Sequence, residues 1–409
     1  MSGDAEPEAG RKPRVLVLTH SLSEVDGVGV YAAQTLRNLV PLCDKVEVFI
    51  GRQHRGVSPS VPRNALTLNE TLPTDQFPFM KLPKLMWLLA HSLGTLEAAA
   101  RRADIVHSFA DYPMGFVATL VGKRTGTPVV VSGHGTYSVA PLDMRFHGKL
   151  LRWTYRHCDR FLMGAQFALD QVHKQVQPNG AEVVPYGVMP GDYDAARTQG
   201  EEPGVPGPYV LCVGEVKQRK GYEISLPAFL QAWKRRPELH YAIVGRFVDH
   251  DPYYQKLQSW ISDAGAQEHV HFLGNVSEGR KVALMRGARA FLLTPITSVE
   301  GGFEAFGLVF LEAGAAGTPV VGVRKSGAQD AITDGENGFL RDPTDRDGLA
   351  DALVQLTDDD ALCARMSANG RARAEGQTWA GAAARVRAIY DELLAPPALP
   401  ASATGRGPS

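Results

Sequence analysis

Two glutamates near a glycine-rich turn are the residues whose types and spacing most directly suggest chemistry. Glu304 and Glu312 stand eight residues apart, one before and one inside an apolar stretch. A helix that begins near Phe306 would point unpaired N–H groups, carrying about half a positive charge, at whatever lies in front of it. At ~1.5 Å per helical residue, the two carboxylates would lie at most about 12 Å apart.

This arrangement predicts a site for an activated sugar. The span is comparable to the distance from the sugar to the ribose in a nucleotide sugar. One carboxylate would accept hydrogen bonds from sugar hydroxyls and the other from ribose hydroxyls, with the diphosphate at the helix end between them. The alternative is an ordinary amphipathic helix that carries two solvated glutamates.

A basic loop supplies a second phosphate candidate. Lys217, Arg219 and Lys220 directly follow the predicted strand Tyr209–Val213. A helix end contributes up to ~2 kcal/mol to a partly buried anion, which is too little to hold a diphosphate. We therefore expect Lys220 to reach the phosphates, backed by Arg219 or Lys217. A solvated basic loop is the alternative.

The segment from Gly27 to Ala32 contains a GxGxxA string that superficially matches the dinucleotide fingerprint. The match is poor, because about seven residues separate Gly27 from the first strand, and Glu47 lies inside the second strand rather than at its tip. We interpret Gly27 and Gly29 as a loop that caps a cleft, where a missing Cβ lets the backbone approach a ligand. A plain loop is the alternative.

His134 lies between two glycines, just past the apolar run of residues 129–131. Sites form at the carboxyl ends of such strands, so His134 is a candidate for hydrogen bonding to a ligand or for proton transfer. A loop histidine without a role is the alternative. Two acidic clusters, at residues 249–251 and 358–360, do not closely follow strands, so we predict no metal site.

A basic, aromatic stretch predicts one further surface. Five cations fall at helical spacing, with Phe146, Trp153 and Tyr155 among them. Such a face suits an anionic acceptor or membrane headgroups, and a solvated helix face is the alternative. The five are Arg145, Lys149, Arg152, Arg156 and Arg160.

Composition narrows the class of protein. The 409 residues suggest two domains, and 43 Lys+Arg against 44 Asp+Glu disfavour a nucleic-acid binder. Four cysteines far apart in sequence suggest neither a zinc site nor disulfides, which fits a cytoplasmic protein. The polar start is unlike a secretory signal, and no apolar run approaches ~18 residues, so no membrane span is expected.

Short β-branched runs alternate with helical stretches throughout, which predicts an α/β protein with doubly wound parallel sheets. A Pro/Gly-rich linker at residues 198–208 divides two halves that would face each other across a cleft. Eleven strands are predicted, at residues 14–19, 45–50, 104–107, 128–132, 160–163, 182–185, 209–213, 240–244, 270–273, 290–293 and 319–323. We expect a helix over 379–394 and disorder in 1–12 and 396–409.

Together these segments resemble the retaining glycosyltransferases of family 4, which have the GT-B fold. The resemblance runs from about Arg14 to Leu394, and its strongest element is the glutamate pair followed by the residues 314–321. It implies a Rossmann-like acceptor-side domain at 13–197 and a Rossmann-like nucleotide-sugar domain at 206–376. A final helix at 377–395 would cross back onto the first domain.

The resemblance also implies residue roles. Glu304 looks like the residue that holds the sugar hydroxyls, Glu312 the ribose contact, Lys220 the diphosphate lysine, and His134 the first-domain histidine beside the donor sugar. The remaining matches are the amides of Phe306, Gly307 and Leu308 around the sugar and phosphate, Gly27 in the phosphate-side loop, and Asn275 and Val276 near the nucleobase. Glu215 departs from the family, since many relatives have arginine there, and Asp26 replaces a glycine.

The implied activity is metal-independent transfer of a sugar, with retention, from a UDP- or GDP-sugar to a hydroxyl of a glycan, glycolipid or small molecule. No other cofactor is expected. The protein would work in the cytoplasm, with peripheral contact to the anionic inner membrane face where the basic stretch meets lipid. The alternatives are an NAD-dependent oxidoreductase and a non-catalytic sugar or membrane-surface module.

Overall fold

The computed structural model describes residues 11–23, 27–51, 56–72, 80–297 and 302–396. Asp26 lies outside the described residues. The segments predicted to be disordered, 1–12 and 396–409, also lie outside them, except for residues 11, 12 and 396. Of these, Lys12 donates a hydrogen bond to the carbonyl of Pro41 at 2.8 Å.

Among the described residues, the first sheet has seven parallel strands in the order β3-β2-β1-β4-β5-β6-β7. We call this sheet and the helices between its strands the N-lobe. Its strands are β1 (Arg14–Leu18), β2 (Lys45–Gly51), β3 (Thr67–Leu72), β4 (Ile105–Ser108), β5 (Val129–Gly133), β6 (Arg160–Met163) and β7 (Ala181–Val183). Its helices are α1 (Gly27–Leu39), α2 (Leu82–Ala100), α3 (Met114–Thr125), α4 (Thr136–Val139), α5 (His147–His157) and α6 (Gln166–His173).

The second sheet, again within the described residues, has six parallel strands in the order β10-β9-β8-β11-β12-β13. With its helices it forms the C-lobe. Its strands are β8 (Tyr209–Val213), β9 (His240–Val244), β10 (Val270–Gly274), β11 (Ala290–Leu292), β12 (Val320–Val323) and β13 (Gly338–Arg341). Its helices are α7 (Tyr222–Arg235), α8 (Pro252–Ala264), α9 (Glu278–Gly287), α10 (Leu308–Ala316), α11 (Ala328–Ala331), α12 (Arg346–Asp358) and α13 (Asp360–Gly376).

All eleven predicted strands are present, and the described residues contain two further strands that were not predicted. The missed strands, β3 and β13, lie at sheet edges. β3 has a partly exposed, polar sequence, and β13 has only four residues, so neither shows the apolar run of a strand covered on both faces. The sheet pairing puts the carboxyl ends of β1, β4 and β5 at one edge of the N-lobe, with Val15 opposite Ile105 and Val106 opposite Val129.

The glycine loop predicted around Gly27 is wrong, because this segment is the first turn of α1. Glycine has a low helix propensity, so the two glycines did not predict the start of a helix. A tertiary contact explains Gly29: a Cβ there would lie 1.9 Å from the carbonyl oxygen of Ser23. A Cβ on Gly27 would meet nothing within 4 Å.

The helix expected to begin near Phe306 begins two residues later, at Leu308. Gly307 precedes it with a φ of 72°, a left-handed conformation that glycine adopts without strain. A Cβ at Gly307 would also lie 2.7 Å from the ring of Phe310. The turn therefore delays the helix and leaves Glu304 in front of its first amides.

The last described helix, α14 (Trp379–Leu394), returns to the N-lobe, as predicted. It buries an apolar face against α1 and the N-lobe sheet, and each large buried side chain contributes roughly 1.5–3 kcal/mol. That face consists of Trp379, Ala383, Val386, Ile389 and Tyr390.

A buried polar contact fixes the position of α14. The hydroxyl of Tyr390 lies 2.6 Å from Nδ1 of His107, and Nε2 of that ring lies 2.8 Å from the hydroxyl of Ser132. Burial lowers the pKa of His107 to about 3, so this ring is neutral and can both donate and accept.

Candidate functional site

The predicted phosphate lysine and the predicted sugar glutamate form an ion pair in the C-lobe. Nζ of Lys220 donates to Oε2 of Glu304 at 2.6 Å, and Nη1 of Arg219 lies 3.4 Å from the same oxygen. Both side chains are largely buried, with 10% of Lys220 and 15% of Glu304 exposed. Three charges therefore meet at one point in front of α10.

The local backbone explains why Lys220 points here. A short 3-10 turn, Gln218–Lys220, follows β8 and ends at Gly221, whose φ is 73°. A Cβ at Gly221 would lie 1.6 Å from the carbonyl oxygen of Thr294, so only glycine permits this turn to pack against the end of β11.

Electrostatics keep Glu304 ionised. Burial raises the pKa of its carboxyl, but the Lys220 ammonium, the Arg219 guanidinium and the amide of Gly307 together outweigh burial and lower the pKa. The Glu304 carboxylate is therefore charged and can accept hydrogen bonds from hydroxyl groups.

Glu312 lies farther along α10, beside a different cation. Its carboxyl oxygen is 4.0 Å from Nζ of Lys281, which also pairs with Glu278 at 2.7 Å. Burial raises the pKa of Glu312, and Lys281 opposes this only in part. The hydroxyl of Tyr193 is a further hydrogen-bond partner of this carboxyl.

Glu312 opens into a cavity of about 510 Å³ between the two lobes. Val30 and Gln34 of α1 form its N-lobe wall, and Glu278 and Lys281 of α9 lie on the C-lobe side. The cavity has the size of a small-molecule site. The predicted nucleobase residues Asn275 and Val276 lie just before α9 in sequence and are not among the residues that line this cavity.

His134 is held rigidly on the N-lobe. Its Nε2 lies 2.8 Å from the carbonyl oxygen of Phe109, and its Nδ1 lies 2.8 Å from the hydroxyl of Tyr186. Because a carbonyl only accepts, Nε2 carries the proton and Nδ1 accepts from Tyr186. The ring of Tyr31 meets His134 edge-on at 4.7 Å.

The segment after His134 contacts the segment that carries Glu304. The hydroxyl of Thr136 accepts from the N–H of Phe303 at 3.0 Å and lies 3.2 Å from its carbonyl oxygen. A Cβ at Gly135 would lie 2.3 Å from Cβ of Ala305. The two lobes thus touch beside the Lys220–Glu304 pair, and His134 adjoins that contact.

The remaining predicted residues divide into two groups. Phe306 is buried against Tyr186 at a ring distance of 5.8 Å, Gly307 is the N-cap residue of α10, and Leu308 is its first residue. Lys217 instead pairs with Glu215 at 2.7 Å, so of the two cations proposed to support Lys220 it is Arg219 that reaches Glu304.

The acidic clusters have structural partners. Asp251 caps α8 by accepting from the amide of Tyr253 at 2.8 Å, Asp359 caps α13, and Asp358 pairs with Arg236. Within the part of the chain that the structure describes, no group of three or more acidic, histidine or cysteine side chains is arranged to hold a metal ion.

The predicted basic helix face is wrong. Helix α5 ends at His157, so Arg160 lies on β6, where it pairs with Glu392 at 3.7 Å. Arg152 turns inward and donates to the carbonyl of Leu142 at 2.8 Å. Tyr155 is fully buried, so only part of the cluster faces solvent.

A different N-lobe surface exposes large apolar side chains. At the start of α2, Leu82 is 46% exposed, Met86 57% and Trp87 51%. The start of α5 lies beside it, since Nε2 of His147 lies 3.1 Å from the carbonyl oxygen of Met80. No helix among the described residues is long and apolar enough to cross a membrane.

Several residues near the site escaped sequence reasoning. Lys281 receives its role only from partners distant in sequence, so no local pattern marks it. Asp111, which lies beneath His134, did have a signal, because it follows the carboxyl end of β4 by three residues.

Two family models match the chain over adjoining ranges. A model of Glycosyltransferase Family 4 matches residues 25–191, which lie in the N-lobe. A model of the group 1 glycosyl transferases matches residues 198–373, which cover the C-lobe site.

The chain is also similar to named proteins. It is 29% identical over 269 residues to a GDP-mannose-dependent alpha-(1-6)-phosphatidylinositol monomannoside mannosyltransferase of Mycolicibacterium smegmatis, covering 63% of this chain and 68% of that one. It is 30% identical over 272 residues to a phosphatidyl-myo-inositol mannosyltransferase of Mycobacterium leprae, covering 65% and 67%. The crystal structure of Anabaena Alr3699/HepE in complex with UDP superposes with a TM-score of 0.70 at 19% identity, covering 93% of this chain and 100% of that one.

Proposed function

Since the chain belongs to the glycosyltransferases of family 4, as the sequence resemblance predicted, we propose that it transfers a sugar from a nucleotide-sugar donor to an acceptor hydroxyl with retention at the anomeric carbon. One observation carries the proposal. The buried Lys220–Glu304 pair lies in front of α10, directly beside the contact between the lobes.

The proposed donor pose follows from the charges. The diphosphate meets the first amides of α10 together with Lys220 and Arg219, and the ribose hydroxyls meet Glu312. Lys220 then exchanges one oxygen of Glu304 for a phosphate oxygen. The freed carboxylate oxygen of Glu304 accepts hydrogen bonds from the sugar hydroxyls.

The chemistry is a displacement at the anomeric carbon. The bond from that carbon to the diphosphate oxygen breaks, and its electron pair stays on the leaving nucleoside diphosphate. Lys220, Arg219 and the helix end stabilise that charge, so the proposed reaction proceeds without a metal. The acceptor hydroxyl attacks from the face that the diphosphate leaves, and its proton passes to the adjacent departing oxygen.

His134 is proposed to meet the donor sugar from the N-lobe. Its ring is oriented by Phe109 and Tyr186, and such preorganisation lowers the cost of reaching the reactive geometry. Closure of the lobes would also exclude water, which otherwise competes with the acceptor.

The oxidoreductase alternative has no support. The string at Gly27 to Ala32 lies inside α1, and both matching family models are glycosyltransferase models. The buried Lys220–Glu304 pair beside the lobe contact also favours an enzyme over a non-catalytic module.

Nucleotide binding gives the first test. The thermal-shift panel contains ADP, GDP, UDP and their glucose or mannose derivatives. We expect the diphosphate of one nucleobase, together with its sugar derivatives, to raise the melting temperature of the protein. A ligand at 100 times its Kd stabilises the folded state by about 2.7 kcal/mol, which corresponds to several degrees. The matching nucleoside serves as the control, because it lacks the diphosphate. If every diphosphate leaves the melting temperature unchanged, the proposed function is wrong.

The acceptor is proposed to be a glycan, a small molecule or a glycolipid. A glycolipid acceptor would require the protein to bind at a membrane surface. The exposed Leu82, Met86 and Trp87 of α2 form an apolar surface, with exposed Lys81, Arg145 and Lys149 nearby. Apolar side chains beside cations suit the anionic inner face of a membrane, so we propose peripheral binding there from the cytoplasm.

Vesicle sedimentation tests this surface. The wild-type protein is expected to sediment with vesicles of phosphatidylcholine and phosphatidylserine, and the double variant Met86→Ser/Trp87→Ser is expected to bind at least about tenfold more weakly, because two large apolar side chains are lost. Trp260→Ser, on α8 of the C-lobe, is the matched control and should sediment normally. A wild-type protein that stays in the supernatant would contradict the proposal.

A further inference from the structure

A carboxylate is buried directly beneath His134, in a part of the N-lobe that the donor pose does not use. Asp111 follows β4 and is fully buried. Its Oδ1 accepts from the hydroxyl of Tyr155 at 2.6 Å. Its Oδ2 accepts from the hydroxyl of Ser138 at 2.9 Å. The main-chain N–H of His134 is shared between this Oδ2, at 3.1 Å, and Oγ of Ser138, at 2.7 Å.

These hydrogen bonds tie three segments to one side chain. Asp111 belongs to the loop after β4, His134 and Ser138 belong to the loop and helix after β5, and Tyr155 belongs to α5. Among the described residues, the donors to this carboxylate are two hydroxyls and the main-chain amides of His134 and of Asp111 itself, all neutral. A carboxylate with such partners holds them more strongly than a neutral acceptor would.

The same loop also orients the side chain of His134. The carbonyl of Phe109, two residues before Asp111, accepts the hydrogen bond from Nε2 of His134. Residues 109–111 therefore fix both the main chain and the ring of the histidine. Gly135 and Thr136, which follow it, make the contact with the C-lobe.

We propose that Asp111 is a positioning residue for sugar transfer, whose charged carboxylate holds His134 and the adjoining lobe contact in the reactive arrangement. This inference rests on the proposed function, because it assumes that His134 meets the donor sugar. Asp111 itself is too deeply buried to touch a substrate.

The charge on Asp111 depends on pH. Burial raises its pKa to about 6, although the hydrogen bonds from Tyr155, Ser138 and His134 oppose the rise. The other titratable groups that face it are Tyr155 of α5, Tyr186, and the ring of His134. Since the folded-state pKa lies above the usual value, the protonated carboxyl is the form the fold favours below about pH 6, and the positioning charge is present above it.

The protonated state has an isosteric mimic. When Oδ1 is protonated, it donates to Tyr155, whose own proton can turn to the carbonyl of Ser138 at 3.1 Å. Asp111→Asn reproduces this pattern, with its amide nitrogen in the place of Oδ1 and a neutral oxygen facing His134. The variant should therefore fold while lacking the charge.

The test measures release of UDP or GDP from UDP-glucose or GDP-mannose as a function of pH, with donor hydrolysis as the readout if no acceptor is known. For the wild type, kcat/KM is expected to fall as the pH drops through about 6. For Asp111→Asn, kcat/KM should show no such fall. At pH 8 it should be about 10- to 100-fold below the wild-type value, because hydrogen bonds from Ser138 and His134 to a charged oxygen become hydrogen bonds to a neutral one. Its affinity for UDP or GDP should be unchanged, because the nucleotide contacts lie in the C-lobe.

Two further variants complete the design. Tyr155→Phe removes a hydrogen bond that stabilises the charged carboxylate of Asp111 but leaves the hydrogen bonds of His134 in place. The pKa of Asp111 should therefore rise, and the fall of kcat/KM at low pH should begin at a higher pH. Asp159→Asn is the matched control, because Asp159 accepts from the amide of Val129 at 2.8 Å at the opposite end of β5. It should keep the wild-type profile.

The outcomes separate the two levels of inference. If Asp111→Asn keeps the wild-type rate and acid limb, the positioning role is wrong while the proposed function stands. If the wild type binds no nucleotide and releases none from either donor, the proposed function fails and this inference fails with it.

Discussion

Replacing Glu304 with glutamine is expected to lower sugar transfer by about 100- to 1,000-fold, the usual cost of removing one charge-stabilising group from an active site. The affinity for the nucleoside diphosphate should stay the same or increase. The reason lies in the ion pair: without the carboxylate, Lys220 loses its 2.6 Å partner and is free to meet a phosphate. Turnover therefore falls while nucleotide binding does not.

Two measurements check this expectation on the same protein samples. Calorimetry with the diphosphate identified by the thermal-shift panel gives the affinity, and product release gives kcat. Glu223→Gln is a matched control, since Glu223 pairs with Lys256 on the C-lobe surface and should retain wild-type values. Unchanged turnover in Glu304→Gln would contradict the assignment.

Replacing Lys220 with alanine is expected to weaken nucleoside-diphosphate binding by about 10- to 100-fold, because one hydrogen bond between charged groups is worth roughly 1.5–3 kcal/mol. The buried position of Lys220 makes the loss large, since water cannot replace the ammonium well. Arg219→Ala should have a smaller effect, because Arg219 is more exposed and lies farther from Glu304.

Lys217→Ala provides the control for this series. Lys217 is half exposed and pairs with Glu215, so its removal should change the Kd by no more than about twofold, as is usual for surface pairs. Equal losses for Lys217 and Lys220 would indicate a diffuse basic surface in place of a specific phosphate contact.

The fold was predictable from the sequence because its central strands are buried on both faces. β6, β8 and β9 have the predicted bounds, and the GT-B architecture implied by the resemblance is confirmed by the two sheets, the returning helix and the HepE structure. Edge strands carry a weaker pattern, so β3 and β13 were missed. The start of α1 was misread because Gly27 and Gly29 have low helix propensity, and only Gly29 is explained by a close contact, with Ser23.

The site was predictable only where a strand end or a spacing marked it. Lys220, Glu304 and His134 follow strands or precede a helix, and the structure brings them to one region. That Lys220 and Glu304 pair with each other could not be foreseen, since they are 84 positions apart. The five cations do not share one helix face, because helical spacing alone does not reveal where α5 ends.

The return of α14 has a consequence for how the protein is made. It packs in one apolar cluster with Val15 and Val17 of β1, yet β1 is translated more than 360 residues before α14. Until α14 has been synthesised, this apolar side of the N-lobe and the ring of His107 lack their cover, and exposed apolar surface of this kind promotes aggregation. A polypeptide released early would keep its nucleotide lobe nearly whole and expose the other half to aggregation.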